Sequence, residues 1–531
     1  MNYLLAKNWK PTKFSFTQKS LFYIVLLTNT ALLLTVKFYP TMDGPSHLYN
    51  SNLLNELVFN HSSEAHNYFV INKFPVANWI SIVILALFNS ILPAYIAEKI
   101  LILIYLFGIS LSFRYLIIQI NPSNSGLSFL IFPFAYSFLF YLGFYNNSLS
   151  FVFLFLILGF WIKHRWNKKI RQYLLLFVMI SLLYFSALLS FLCAGFCLGL
   201  IELAAFVETY KNNQSSKVKF KKLFTDLFLI LLVSLPYLVL TIYFIKTTNF
   251  YPSGQEYSNS ELIKWINDVR CLIVYDYTGD EILTQQILHI IIAMAAISIY
   301  KRFSKPEKLR FYLGDVFLIP IALGLVLFFL VPNGSGAGMM SDRYCLMVFM
   351  LLIIWIASFK LPPKATQVFI VLIIAFHFGL LLKHHNGAIR DLDKNAQTIA
   401  ITEKYIEKNS IVLPINLSDN WLEPHFSNYL GIDKPMIILE NYEASVGWFP
   451  LQWNISKMPN IKLSNYQDIN GSKWPSNTSS TKSKQIDYVL LYGNTSKINN
   501  PEWAELSSVL KVYFELKCTS ENNYVQLYCK K

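Results

Sequence analysis

Long apolar runs, separated by short polar segments, dominate the chain from residue 21 to about residue 383. A helix that crosses a bilayer needs about 20 mostly apolar residues, and the first run, residues 21 to 39, has this length. After residue 383 no run is as long, and Asn, Ser, Lys and Trp become more frequent. The pattern predicts an α-helical polytopic membrane domain over residues 1–383 and a soluble domain over residues 384–531.

Basic residues decide how the apolar runs are counted. Lys and Arg cluster near residues 7–19, 163–171, 211–222 and 301–310, and such clusters are typical of cytoplasmic loops. All four fall on one face only if residues 79–92 form an interfacial or re-entrant helix and not a span. About eleven transmembrane helices are then predicted, at residues 20–39, 98–118, 127–142, 148–162, 172–185, 187–208, 223–245, 282–300, 311–331, 344–359 and 366–383.

With this count, the protein is predicted to be a multi-pass protein of the cell (inner or cytoplasmic) membrane. Its N-terminus is predicted to lie in the cytoplasm. The first outer loop, residues 40–97 with its interfacial helices, and the tail after residue 383 then lie outside the cytoplasm. No cleavable signal is needed, because the first span follows a basic segment and can act as an uncleaved anchor.

Composition supports the membrane assignment and argues against nucleic acid as a partner. The chain is 54% hydrophobic and 14% charged, with a formal net charge of +14. From His384 onward there are 15 basic and 15 acidic residues, so the whole excess lies among the apolar runs. A basic excess confined to short loops between spans indicates membrane lipids as partners and no nucleic acid.

The sequence Asp43-Gly44-Pro45-Ser46-His47 follows the first apolar run directly. A carboxylate at a partly dry interface can have its pKa raised into the range of a general base. Gly44-Pro45 predicts a rigid turn, and a helix that starts at His47 would hold the imidazole on the side of the Asp43 carboxyl. Catalysis by Asp43 and His47, metal binding by Asp43, and simple capping of that helix are the alternatives. Whether the protein uses a divalent cation as a cofactor is therefore left open by the sequence.

Other candidates lie in the predicted outer loops. Tyr145 and Asn146, between two spans, could hold a sugar or an isoprenoid, or form an ordinary turn with interfacial aromatic residues. Asn78 could bind a polar headgroup. Arg343 could bind a phosphate or diphosphate through its forked guanidinium, or pair with the adjacent Asp342. Arg270 is a second choice for the phosphate.

The tail is predicted to be a small α/β domain. Residues 410–414 and 486–493 have the pattern of short buried strands, and residues 509–529 alternate like a hairpin. Five residues in polar and aromatic surroundings could cover an active face, although a structural role is expected for most of them: His425, Glu440, Tyr442, Glu443 and Trp448. Cys518 and Cys529 could form a disulfide or remain two free thiols.

Three segments together resemble the glycosyltransferase C (GT-C) superfamily of membrane enzymes, which includes protein O-mannosyltransferases and aminoarabinose transferases. They are Asp-Gly-Pro-Ser-His-Leu-Tyr-Asn at 43–50, Ala-Glu-Lys at 97–99, and Leu-Gly-Phe-Tyr-Asn at 142–146. The chain looks like an uncharacterised bacterial branch of that superfamily. It departs from better-known members because no second acid follows Asp43, and because Asn146 and Asn147 stand where relatives often carry an acid.

The resemblance implies an inverting transfer of a hexosyl or pentosyl group from a polyprenyl-phosphate-linked donor, outside the cytoplasm. The acceptor would be a lipid, glycan or protein of the cell envelope. Asp43 would serve as base or metal-coordinating acid, and Glu98 and Lys99 would join Arg343 around the donor. A glycolipid transporter or flippase, or a non-catalytic envelope assembly protein, is the alternative. Transporters usually carry charges within their spans, and the spans predicted here carry few.

Overall fold

The structure is a computed structural model that describes residues 16–61, 63–210, 216–247, 256–304, 313–336, 338–454 and 486–531. Its eighteen α-helices are α1 Phe16–Ala31, α2 Gly44–Phe59, α3 Ala65–Tyr68, α4 Ile80–Asn89, α5 Ala94–Ile120, α6 Ile131–Ala135, α7 Phe138–Tyr141, α8 Tyr145–His164, α9 Ile170–Ser186, α10 Leu188–Tyr210, α11 Ser216–Thr247, α12 Asn259–Asn267, α13 Tyr277–Phe303, α14 Leu318–Leu330, α15 Met340–Ala357, α16 Pro363–His384, α17 Arg390–Thr402 and α18 Ala504–Tyr513. The strands are β1 Phe69–Ile71, β2 Ile411–Leu417, β3 Ile437–Ile438, β4 Leu451–Trp453, β5 Tyr488–Gly493, β6 Phe514–Thr519 and β7 Val525–Lys530.

The chain divides into two compact units. Unit 1 comprises Met1–Leu32, Leu103–Phe140 and Asn147–His384. Unit 2 comprises Leu33–Ile102, Tyr141–Asn146 and His385–Lys531. The boundary predicted after residue 383 nearly coincides with the end of unit 1. The first outer loop, which was assigned to the membrane domain, belongs to unit 2 together with the tail.

Eight helical segments in the described ranges are long and apolar enough to cross a membrane, judged by length and composition. The prediction of a polytopic helical membrane protein is confirmed, and eight of the roughly eleven predicted spans correspond to single long apolar helices in these ranges. The predicted span at 20–39 is the 16-residue α1 with a short 3-10 extension, and that at 172–185 is the 17-residue α9. The run at 127–142 is divided among a 3-10 helix, α6 and α7.

Lipid-facing and buried helices differ in their exposure. Only 22% of the apolar window of α11 is buried, whereas 89% of the window of α15 is. An apolar helix that leaves most of its side chains uncovered is suited to hydrocarbon and not to water. The ten-residue α4 is too short to span, which agrees with the interfacial segment predicted at 79–92. The basic residues at 7, 10, 13, 211, 305, 308 and 310 lie outside the described ranges.

Unit 1 contains a buried ionic cluster around Lys168. The Lys168 ammonium lies 2.6 Å from Glu202 Oε2 and 2.8 Å from Asp226 Oδ2. The second oxygens of these carboxylates accept hydrogen bonds from Trp161 Nε1 at 2.7 Å and from Tyr173 OH at 2.6 Å. Because both carboxylates are paired and hydrogen-bonded, this cluster has the form of a structural tie between helices.

The tail of unit 2 carries a five-stranded mixed sheet in the order β3-β2-β5-β7-β6. β2 runs parallel to β3 and β5, and β7 runs antiparallel to β5 and β6. β5 is buried along its whole length, as its continuous apolar run requires for a central strand. The prediction of a small α/β domain is confirmed. Cys518 and Cys529 are free, and they are not opposite each other in the β6–β7 register, where Cys518 faces Leu527.

Candidate active site

Asp43 lies at the start of α2, in unit 2. Pro45 stands in the first turn of this helix, where its missing N–H and fixed φ are favourable. The backbone N–H of Asp43 donates to Leu142 O at 3.1 Å, which ties the turn to the segment before α8. Asp43 occupies the N-cap position, but its side chain makes no capping hydrogen bond. The capping alternative therefore does not account for this carboxyl group.

The Asp43 carboxyl is buried among ionisable side chains, with 6% of its side chain exposed. Its Oδ1 lies 3.6 Å from His425 Nε2, and Tyr442 hydrogen-bonds the carboxyl group. Among the described residues Oδ1 has no hydrogen-bond partner. Burial raises the pKa of Asp43 to about 6, and the charges of His425 and His47 oppose part of this rise. A carboxylate with this pKa and a free oxygen is suited to accept a proton near neutral pH.

His425 is held by Glu440 on the side away from Asp43. Its Nδ1 lies 2.5 Å from Glu440 Oε1, and Glu440 Oε2 accepts from Asn428 Nδ2 at 2.7 Å. The Tyr442 ring stacks on the imidazole with centroids 4.3 Å apart. Burial lowers the pKa of His425, but the charge and hydrogen bond of Glu440, together with the charges of Asp43 and Glu443, outweigh burial and raise the pKa overall. The cluster therefore favours the protonated form of His425, whose positive charge faces Asp43.

His47 lies one turn along α2 from Asp43 and is paired with a different carboxylate, that of Glu443. Its Nδ1 is 2.7 Å from Glu443 Oε1, and its Nε2 is 3.1 Å from Gly143 O. A protonated imidazole can donate from both ring nitrogens, so the oxygens on both sides favour the charged form of His47. Burial lowers the pKa of His47, whereas Glu443 raises it, and the net direction is upward. Glu443 Oε2 also accepts from Asn50 Nδ2 at 2.5 Å.

Gly143 is required by the close approach of its segment to the start of α2. Its φ is +79°, in the left-handed region that glycine tolerates. A Cβ at this position would lie 2.7 Å from the backbone nitrogens of Asp43 and Gly44. A glycine is therefore needed where two of the three segments that carry the sequence resemblance meet.

Glu98 and Tyr145 form a second buried pair beside this turn. Tyr145 OH donates to Glu98 Oε1 at 2.9 Å and also lies 3.0 Å from Thr41 Oγ1. A Cβ on Gly44 would lie 2.8 Å from both Glu98 Oε1 and Tyr145 OH. The structure thus brings four of the predicted site residues, Asp43, His47, Glu98 and Tyr145, around one glycine-bearing turn.

The remaining predicted residues of unit 2 contact backbone. Asn146 Nδ2 donates to Asn78 O at 3.0 Å, and its Oδ1 accepts from Ser81 N at 2.8 Å. Asn78 has a φ of +72°, a conformation that asparagine tolerates better than most residues. Lys99 Nζ donates to Val36 O at 2.5 Å. Asn146 therefore fixes the entry to α4 with both ends of its carboxamide.

Arg343 and Arg270 belong to unit 1 and make polar and aromatic contacts there. Arg343 Nη1 donates to Asn147 Oδ1 and its Nε donates to Gly338 O, both at 2.9 Å. The Arg270 guanidinium lies over the Phe138 ring, 4.0 Å from its centroid. Nη1 of Arg270 donates to Ile273 O at 2.7 Å. Both cations are thus held in fixed positions by their neighbours.

Sequence reasoning named His425, Glu440, Tyr442 and Glu443 only as surroundings of an active face. In the structure, His425 faces Asp43 and Glu443 faces His47. Glu440 pairs with His425, and Tyr442 hydrogen-bonds Asp43. The one signal in the sequence was their density within 19 residues of an otherwise apolar and amide-rich segment. Within the described ranges, no group of three or more His, Cys, Asp or Glu side chains is arranged to hold a metal ion.

No family model matches the chain, and no curated protein matches it in sequence. Among solved structures, the chain is similar to the oligosaccharyltransferase of Archaeoglobus fulgidus in the apo form, with 12% identity and a TM-score of 0.48 over 97% of this chain and 75% of that one. It is also similar to ArnT from Cupriavidus metallidurans in the apo state, with 8% identity and a TM-score of 0.44 over 96% of this chain and 97% of that one. At these identities and TM-scores, the likeness transfers no residue role and no activity to this chain.

Proposed function

We propose that this chain is a membrane glycosyltransferase of the GT-C type. It transfers a hexosyl or pentosyl group from a polyprenyl-phosphate-linked donor to a lipid, glycan or protein of the cell envelope, on the outer face of the membrane. The observation that carries the proposal is Asp43: a buried carboxyl with a pKa of about 6, one oxygen that no described residue hydrogen-bonds, and the His425 imidazole 3.6 Å away. A purely structural carboxylate would be expected to have both oxygens bonded.

In the proposed reaction, Asp43 Oδ1 takes the proton of the acceptor hydroxyl or amine. The acceptor oxygen or nitrogen attacks the anomeric carbon of the sugar, and the bond from that carbon to the donor phosphate breaks. The polyprenyl phosphate leaves with the bonding electron pair. Proton removal by a positioned base typically contributes about 10²–10⁴ in rate.

The surroundings of Asp43 suit this role before and after proton transfer. A pKa of about 6 leaves the carboxyl mostly ionised at neutral pH. The positive charge of protonated His425 favours the ionised form of Asp43, and Glu440 raises the pKa of His425. When Asp43 is protonated, its carboxyl loses its attraction to His425. Release of the proton restores this attraction, so the carboxyl can ionise again near pH 6.

The donor phosphate is assigned, as part of the same proposal, to three cations. Arg343 and Arg270 supply planar guanidinium groups that bind phosphate through two parallel hydrogen bonds, and Lys99 supplies a point charge. Tyr145 and Asn78 are proposed to contact the sugar or its carrier. Negative charge grows on the leaving phosphate, so these contacts strengthen in the transition state.

The test replaces Asp43 with Asn, which keeps the shape of the side chain and removes the base. Polyprenyl-linked and envelope glycans are compared by mass spectrometry in cells that lack the protein and in cells that express wild type, Asp43→Asn or Asp391→Asn. The control residue Asp391 is exposed and belongs to unit 2.

We expect Asp43→Asn to accumulate the lipid-linked donor and to lack one sugar in the acceptor, as in cells without the protein, while Asp391→Asn behaves as wild type. Normal glycans with Asp43→Asn at normal protein levels would refute the proposal and would leave the transporter and the assembly protein. For a transporter, purified protein in liposomes would move the donor between leaflets without forming a glycosylated acceptor.

A further inference from the structure

The tail carries a polar cavity, formed where the end of β5 and the turn between β6 and β7 approach each other in unit 2. Its volume is about 470 Å³, which lies within the ~300–1,000 Å³ range of ligand pockets. The lining is rich in carboxamides and includes one aromatic ring: Asn494, Asn499, Asn522, Asn523, Gln526 and Tyr528.

The lining contains no ionisable acid or base apart from the tyrosine phenol. Recognition of an anion normally uses Arg or Lys, and an apolar ligand would require apolar walls. Carboxamides offer both donors and acceptors, which match the hydroxyl groups of a neutral sugar. A tyrosine adds a face for the C–H side of a sugar ring and a hydroxyl at its edge.

Three of the carboxamides are held through their oxygens. Asn522 Oδ1 accepts from Ser520 Oγ at 2.7 Å and from the backbone N–H of Tyr524 at 3.1 Å. Asn494 Oδ1 accepts from Ser496 Oγ at 2.6 Å, and Gln526 Oε1 accepts from Tyr528 OH at 3.1 Å.

These bonds orient the side chains and leave their NH₂ groups without a partner among the described residues. A row of fixed, uncharged donors is suited to the hydroxyl and ring oxygens of a sugar. The same side chains contribute little to the core, since Asn494, Asn499, Asn522 and Asn523 are exposed.

We propose that this cavity binds a short neutral oligosaccharide. The binding step is separate from sugar transfer, because the cavity shares no residue with the Asp43 cluster. On the proposed function, the bound glycan is the acceptor or its product held by the tail. The cavity binds the glycan whether or not Asp43 acts as the base.

The experiment uses the full-length protein in lipid nanodiscs and saturation-transfer NMR. The probes are maltotriose and triacetylchitotriose, which are neutral, trigalacturonate, which is acidic, and a Gly-Ser peptide. Binding is measured for wild type, for Asn499→Ala combined with Gln526→Ala, for Asn500→Ala and for Asp43→Asn. Asn500 is the matched control, because it is an exposed asparagine next to Asn499 and does not line the cavity.

We expect a neutral trisaccharide to bind wild type, Asn500→Ala and Asp43→Asn equally. The double variant should lose about tenfold in affinity, equivalent to about 1.4 kcal/mol, because two hydrogen-bonding groups are removed. Unchanged melting of the double variant would confirm that the fold is intact.

Three results would overturn the inference: no binding of either neutral trisaccharide, preferential binding of the acidic probe or the peptide, or an equal loss with Asn500→Ala. Because Asp43→Asn is scored by binding and not by transfer, failure of the proposed transferase leaves this result unaffected.

Discussion

The charge of His425 is predicted to keep the pKa of Asp43 lower than burial alone would make it. At 3.6 Å, the attraction between unit charges is about 1 kcal/mol with the dielectric constant of water and about 5 kcal/mol at an effective value of about 20. One pKa unit corresponds to about 1.4 kcal/mol. Replacing His425 with Gln removes a charge that favours the carboxylate, so the pKa of Asp43 should rise by about one to three units from its value of about 6.

The consequence is a large change in the ionised fraction at pH 7.5. With a pKa of about 6, about 97% of Asp43 is ionised at this pH, whereas a pKa of about 7 to 9 leaves between about 75% and about 3%. Activity limited by the base should therefore fall in His425→Gln at pH 7.5 and recover at higher pH. A merely structural defect would not be rescued by alkaline pH.

The titration can be measured without knowing the substrate. Infrared difference spectra of the protonated carboxyl band, recorded against pH and corrected with Asp43→Asn, report the protonation of Asp43. His61→Gln is the control, since His61 is an exposed histidine in the same unit. A midpoint that remains near pH 6 in His425→Gln would refute the charge coupling between the two side chains.

Three further substitutions test the supports of the structure, each read by thermal unfolding in detergent. Glu443→Gln should lower the pKa of His47, since burial then dominates. In wild type the His47–Glu443 pair stabilises the fold fully below pH about 6.5, and this stabilisation is lost as the pH rises through the elevated folded-state pKa. The variant should therefore lose most stability below pH about 6.5, and an equal loss at all pH values would contradict the assignment. Gly143→Ala should cost at least about 1–3 kcal/mol, whereas Gly199→Ala, where a Cβ meets nothing within 4 Å, should change stability by less than about 1 kcal/mol. Lys168→Met should lower the free energy of unfolding by about 3–5 kcal/mol, because it leaves two buried carboxylates without their cation. No change in stability would mean that the two carboxylates become protonated at no cost.

Local sequence was sufficient for the turn at Asp43 but not for its partners. Gly44-Pro45 predicted the turn, and helix geometry predicted that His47 would share the side of Asp43. His425 and Glu443 lie almost 400 residues further along the chain, and no local pattern specifies which distant imidazole or carboxylate completes a buried cluster. Their identification required the tertiary structure.

Three predicted spans are not single long helices in the structure, and local sequence explains why this was not foreseen. A hydropathy window averages over a run of residues, so it cannot detect a break in an apolar helix. Between residues 122 and 141 the run is apolar enough to suggest one span, yet it contains Pro133 and a non-helical Asn124. The backbone changes direction there while hydropathy stays high. Strand prediction in the tail succeeded because β5 has a continuous buried pattern bounded by polar segments.

The construction of unit 2 from three separate stretches of chain has a consequence for biosynthesis. A ribosome completes Asp43 and Gly143 long before Glu440 and Glu443 exist, and chains generally fold from the N-terminus as they emerge. The counter-ions of His47 and His425 arrive only with the last fifth of the polypeptide. A premature stop at residue 400 would therefore leave His47 without its carboxylate and α2 without the tail residues that cover it, and quality-control proteases should remove such fragments faster than the finished protein.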